Sequence, residues 1–172
     1  MELLEKNDMI VEKEPVYAGF WKRFAAYLLD GIFLGIPLAG ITVLVFLFFF
    51  GATGFFEGID DPDYVDQELT NSQLIGMFAA YGIVVIINLL ASILYYAGFH
   101  SSKMQATPGK RILGLKVTDL NGNRISFWRA LGRLLAMSFL STILMIGYII
   151  AAFTEKKQAL HDLIAGTIVV KR

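Results

Sequence analysis

Arg23 stands at the mouth of an apolar run, residues 24–50, and Asp30 is the only charged residue inside that run. An ionisable group at membrane depth costs on the order of 2.5–3.5 kcal/mol on insertion scales, so it needs a partner or a job. Seven positions apart, the two side chains share a helix face but sit about 10 Å apart along the axis, too far for a tight pair. Arg23 can reach the headgroups or anchor the span, whereas Asp30 must be met by another segment. Two chemistries fit Asp30. It can accept a structural hydrogen bond that fixes helix packing, or it can carry a proton or a cation. Desolvation favours its neutral form and a nearby cation its charged form, so a modest trigger could switch it.

Other residues extend this set. Asn88 is the strongly polar side chain at the centre of a second apolar run, 74–99, and is the expected donor to Asp30. His161 and Asp162 are adjacent and read either as a proton relay or as a helix-end cap. Lys110 and Arg111 follow a Pro-Gly turn and are expected to face anionic lipid headgroups. The stretch Thr107-Pro108-Gly109-Lys110 lacks the upstream glycine and downstream hydroxyl of a phosphate-binding loop, so that reading is rejected. Two histidines without further ligands at a recognisable spacing predict no metal site, and no cofactor is expected. No cysteine is present, which excludes disulfide, thiolate and thiol-nucleophile chemistry. No supported nucleophile–base set appears, and the expectation is a protein that is not an enzyme. Zero net charge speaks against nucleic acid as a partner.

The elements that position these residues are membrane helices. The chain of 172 residues is 56% hydrophobic and 17% charged, against about 25% charged in soluble proteins. About twenty apolar residues cross a bilayer, and both runs exceed that. Gly31 and Gly35 form a small-residue pair expected to allow close helix approach, and Pro37 is expected to kink the first span. Residues 51–73 carry six acids and no Lys or Arg, while 100–128 are rich in both, so the positive-inside rule puts the first loop outside and the second in the cytoplasm. The amino terminus, a polar tail over residues 1–19, is then cytoplasmic. The acidic loop reads as solvated, or as a means of concentrating cations at the outer mouth.

A third apolar segment, about 129–153, is long enough to span. Yet Lys156, Lys157, Lys171 and Arg172 beyond it belong inside, so a re-entrant path that leaves the carboxyl terminus cytoplasmic is favoured. In the basic loop, residues 115–118 and 124–127 flank Asn121-Gly122 and predict a hairpin. The β-branched stretch 167–171 is expected to add a third strand against 115–118. The fold class is thus an all-α membrane protein with spans at about 22–50 and 74–99, a re-entrant or spanning third segment, and a small cytoplasmic β element. No internal repeat is visible, which speaks against a complete transporter in one chain.

Three blocks carry a family resemblance. Tyr17-Ala18-Gly19-Phe20-Trp21-Lys22-Arg23, continuing to Asp30, resembles the opening signature of the RDD family, small bacterial membrane proteins named for one arginine and two aspartates. Thr107-Pro108-Gly109-Lys110-Arg111, within residues 106–117, resembles its second block, and His161-Asp162, within 158–167, its closing block. The resemblance maps the arginine onto Arg23 and the aspartates onto Asp30 and Asp162, and covers residues 20–172 as one membrane domain. It implies a multi-pass protein of the bacterial inner membrane. It implies either transport of unidentified ligands, including cation/proton exchange, or a scaffold or assembly role for other relatives. With few helices per chain, a transporter is expected to act as a homo-oligomer in the lipid bilayer, with protons or monovalent cations as its partners.

Overall fold

The computed structural model describes residues 15–54, 56, 68–141 and 149–172. Helix α1 runs over Phe20–Ala52 and contains Pro37 without a break. Helix α2 covers Asn71–Ser92, continues through a wider π-helical stretch at Ile93–Gly98, and ends in Phe99–Ser101. A reciprocal cap starts α2: the Thr70 hydroxyl accepts from the Gln73 amide at 3.3 Å, and the Thr70 amide donates to Gln73 Oε1 at 2.9 Å. The two helices lie antiparallel. The end of α1 meets the start of α2 where a side chain on Gly76 would come within 2.6 Å of Thr53, and the start of α1 meets the end of α2 at Asp30 and Tyr95.

Both helices are long and apolar enough to cross a bilayer. Their burial is inverted relative to a soluble protein. The buried residues of α1 are Arg23, Ala26 and Asp30, while Ile36, Leu44 and Phe48 are each more than two-thirds exposed. Water would strongly disfavour such a surface, whereas lipid tails match it.

At the polar end, a short helix α3 (Pro108–Ile112) leads through Gly114 to strand β1 (Leu115–Asp119). Helix α4 (Phe127–Ala136) follows and passes into a π-helical stretch, Met137–Ser141. A single turn at Ile150–Ala152 precedes helix α5 (Leu160–Ala165) and strand β2 (Thr167–Lys171). Gly166, at φ 60°, closes α5 in the left-handed conformation and aims the chain into β2. Strands β1 and β2 pair antiparallel, with Leu115 opposite Lys171 and Asp119 opposite Thr167. The segment before α1 joins the outer edge of β2: the Ala18 amide donates to Val169 O, and the Lys171 amide donates to Val16 O, both at 2.9 Å. Ala18, Ala26, Ala97, Leu115, Val117, Ile125, Ala130 and Val169 form the apolar core beneath.

The pairing of 167–171 with 115–118 is as expected, but the hairpin is corrected. Residues 123–126 are not a strand, and α4 begins at Phe127 with Ser126 capping it. Around Asn121-Gly122, the Asp119 carboxylate instead accepts both the Asn121 and Asn123 amides, at 2.9 and 2.8 Å, and forms a closed polar turn. Gly31 and Gly35 make no close approach within the described chain: both are exposed, with open space where a side chain would be. Close approach falls to Gly76 and Gly109. Much of the acidic loop and residues 142–148 of the third apolar segment lie outside the described residues. A third spanning helix is not among the elements described.

Candidate functional site

Two fully buried carboxylates organise the polar end. Asp30 projects from α1 toward α2 and α3. Its Oδ1 accepts from the Tyr95 hydroxyl and the Gly109 amide, each at 2.8 Å, and its Oδ2 accepts from the Thr107 hydroxyl at 2.6 Å. The Lys110 ammonium stands 3.9 Å from Oδ2. The local sequence explains each donor. Pro108 at the first position of α3 fixes the helix start, leaving the Gly109 amide free to point at an anion. Gly109 is required there, because a Cβ would lie 2.5 Å from Ala26 O and 2.8 Å from the Asp30 carboxylate. Tyr95 lies in the π-helical stretch of α2, a type of irregularity frequent at functional sites.

Asp162 sits in the first turn of α5. Its Oδ2 accepts from the helix-entry amide of Ala159 at 3.2 Å and is bound by the Arg23 guanidinium. Its Oδ1 is held by Arg133 from α4, with Nε at 2.8 Å and Nη2 at 2.6 Å, and by the Thr167 hydroxyl at 3.3 Å. Arg23 also donates through Nε to Ala18 O at 2.9 Å. The His161 Nε2 lies 3.7 Å from Oδ1 of Asp162. This cluster fastens α1, α4, α5 and β2 to one another.

Burial would raise the Asp162 carboxyl, but the Arg133 and Arg23 guanidiniums outweigh it and hold the group well below the usual carboxylate range. Burial lowers the His161 imidazole to about 3, against the pull of Asp162 and with help from the Arg133 charge, so the ring is neutral. Burial, then the Arg133 charge, pushes the Lys110 ammonium down to about 8 despite Asp30.

The structure brings Arg23, Asp30, Asp162 and His161 to one end of the molecule, with Arg23 and Asp30 serving different carboxylate centres. Asn88 does not donate to Asp30: its side-chain amide donates to Val84 O of its own helix at 2.9 Å, about two turns before the Tyr95 that meets Asp30. Lys110 is placed differently from the open basic face expected of it: it is buried against Asp30, since the α3 turn rotates it inward, while Arg111 faces out. Asp162 both caps α5 and binds arginine, so the capping reading holds alongside a second role. Sequence reasoning missed Tyr95, Thr107, Gly109 and Arg133. Arg133 is the one charged residue within the apolar stretch 130–136, whose Ala130, Leu134 and Ala136 are buried with it, and that isolation was the available signal.

The RDD family model matches residues 17–166. A Bacillus subtilis protein, YxaI, is 38% identical over 89% of this chain and 96% of its own length. A Bacillus subtilis membrane protein, YteJ, is 29% identical over 98% of this chain and 93% of its own. No solved structure matches. With two apolar helices, a buried arginine and two buried aspartates at the matched positions, the chain is a membrane protein that belongs to the RDD family.

Proposed function

We propose that this protein exchanges a monovalent cation for a proton at the Asp30–Lys110 pair, acting as a homo-oligomer in the membrane. The observation that carries the reading is the shell around Asp30: a buried carboxylate, the Thr107 and Tyr95 hydroxyls, and an ammonium at 3.9 Å rather than in tight contact. Oxygen donors of this kind suit hard cations. Lys110, lowered to about 8, can give up its proton near neutral pH when a cation takes its place beside Asp30. The described residues of one chain supply two long apolar helices, too few to enclose a pathway, and the open face at Gly31 and Gly35 is available for a second copy. The amino-terminal segment, β1 and β2 share one end, and the Lys/Arg-rich loop supports placing that end in the cytoplasm. No nucleic acid, cofactor or catalysed covalent step enters this proposal.

Reconstitution in vesicles tests it. Native protein should drive proton movement that depends on an imposed sodium, lithium or potassium gradient, and Asp30→Asn should abolish it. Lys110→Gln should leave cation binding but uncouple it from protons. Equal flux in Asp30→Asn removes that carboxylate from the mechanism.

A second reading, a membrane scaffold or assembly factor, is favoured by the Asp162 clamp. Its carboxylate oxygens are fully engaged, and the crevice beside it measures about 20 Å³, too small for a transported solute. Silence of the native protein in the flux assay, together with one stoichiometric co-purifying partner, would favour the scaffold.

A further inference from the structure

The buried polar end is short of acceptors. Arg23 is 6% exposed, yet its Nη2 has no hydrogen-bond partner among the described residues. His100, 3% exposed, has an Nε2 that is likewise without a partner among the described residues. Its Nδ1 lies 3.4 Å from Arg133 Nη1, and a guanidinium can only donate. Nδ1 therefore accepts and the ring proton sits on Nε2. Both orphan atoms are thus donors, and a buried donor left unpaired costs about 1–3 kcal/mol.

Charge points the same way. Among the described residues, the buried charged side chains of this end are three permanent or potential cations, Arg23, Lys110 and Arg133, against two carboxylates, Asp30 and Asp162. Counting both imidazoles as neutral, one positive charge is in excess. Between these cations lies the crevice of about 20 Å³, bordered by Arg23, Tyr27, Tyr96, Lys110, Arg133 and His161. A smaller cavity of about 10 Å³ adjoins it, sharing Tyr96 and Arg133 and lined also by His100. The space admits one oxygen-sized atom, and not a whole oxyanion.

We propose that this crevice seats one anionic oxygen of a phosphate group whose remainder stays outside, with Arg23, Lys110 and Arg133 as its cationic wall. The ligand is a phosphate monoanion or dianion that carries no cationic group of its own, supplied by an anionic lipid headgroup or by free phosphate; the quaternary ammonium of a choline headgroup would meet the like charge of the wall. The site does not depend on exchange at Asp30, although Lys110 borders both.

The test uses the full-length protein in a neutral detergent at constant ionic strength. Thermal unfolding is followed against inorganic phosphate, against phosphatidylglycerol and against phosphatidylcholine. Saturable stabilisation is expected from phosphatidylglycerol or inorganic phosphate and not from phosphatidylcholine. A response to phosphatidylglycerol alone assigns a lipid headgroup, and a response to inorganic phosphate alone assigns a soluble anion. Arg23→Lys keeps the charge facing Asp162 and removes Nη2, and should weaken the response at least tenfold. If that variant does not fold, Lys110→Gln serves, with the same expectation. Absence of saturation in the native protein, or an undiminished response in the folded variant, overturns the proposal and leaves water as the acceptor.

Discussion

Asp162 and Asp30 are equally buried, yet one is locked by charge and the other is held by dipoles. Asp162 meets two guanidiniums, a hydroxyl and an amide. Asp30 meets two hydroxyls and an amide, and its cation stands off at 3.9 Å. Arginine keeps its proton in proteins, whereas a buried lysine readily gives its proton up. The difference separates a part that holds the molecule together from a part whose charge can change.

The largest expected effect comes from Asp162→Ala. It leaves two buried guanidiniums without a counter-charge, at a cost of about 3–5 kcal/mol. Loss of folded protein, measured by monodispersity after detergent extraction, should follow. If the protein remains folded, the clamp is not what fastens α4 and α5 to α1.

Gly109→Ala should cost about 1–3 kcal/mol, because its Cβ collides with Ala26 O and the Asp30 carboxylate. Thermal unfolding would read this, and an unchanged midpoint would mean that α3 is free to move away from α1.

The pH response separates the two centres by window. Asp162 is depressed below its unfolded value of about 3.9, so its stabilisation is complete above that pH and fades as acid titrates it. His161 adds to the acid loss. Its folded value of about 3 lies below the unfolded one, so the unfolded chain binds more protons between about 3 and 6.5. Lys110 acts in the alkaline window. At about 8 in the fold and about 10.4 unfolded, it makes stability rise with pH between those values. Lys110→Gln should flatten the alkaline rise and leave the acid limb unchanged. Equal flattening of both limbs would show the centres to be coupled.

The smallest effect belongs to Asn88→Leu, within about 0.5 kcal/mol, since its amide serves only its own helix. A midpoint shift of several degrees would return Asn88 to the polar set.

Composition and hydropathy were enough to place α1 and α2, because a run of apolar residues long enough to cross lipid needs no tertiary contact to identify it. Asp30 was legible as a polar residue in need of a protein partner by its position in apolar sequence, whereas Arg23 read as an anchor or headgroup contact and Asp162 as a relay or helix cap, singled out together by the family blocks. The hairpin misreading at residues 124–127 has a definite cause. Alternation and Asn-Gly are local signals, but Ser126 also caps a helix, and the burial of Ala130, Arg133 and Leu134 on one face of α4 outweighs a marginal two-stranded turn.

The sequence by itself determined that ionisable groups are buried among membrane helices, since lipid leaves such groups no solvent and forces them inward. Only the tertiary structure decided which group meets which. Arg23 and Asp162 are 139 residues apart in the chain, Asp30 and Gly109 are 79 apart, and Lys110 faces inward through the orientation of a five-residue helix. Partner choice at such separations depends on where whole elements dock, which no local pattern records.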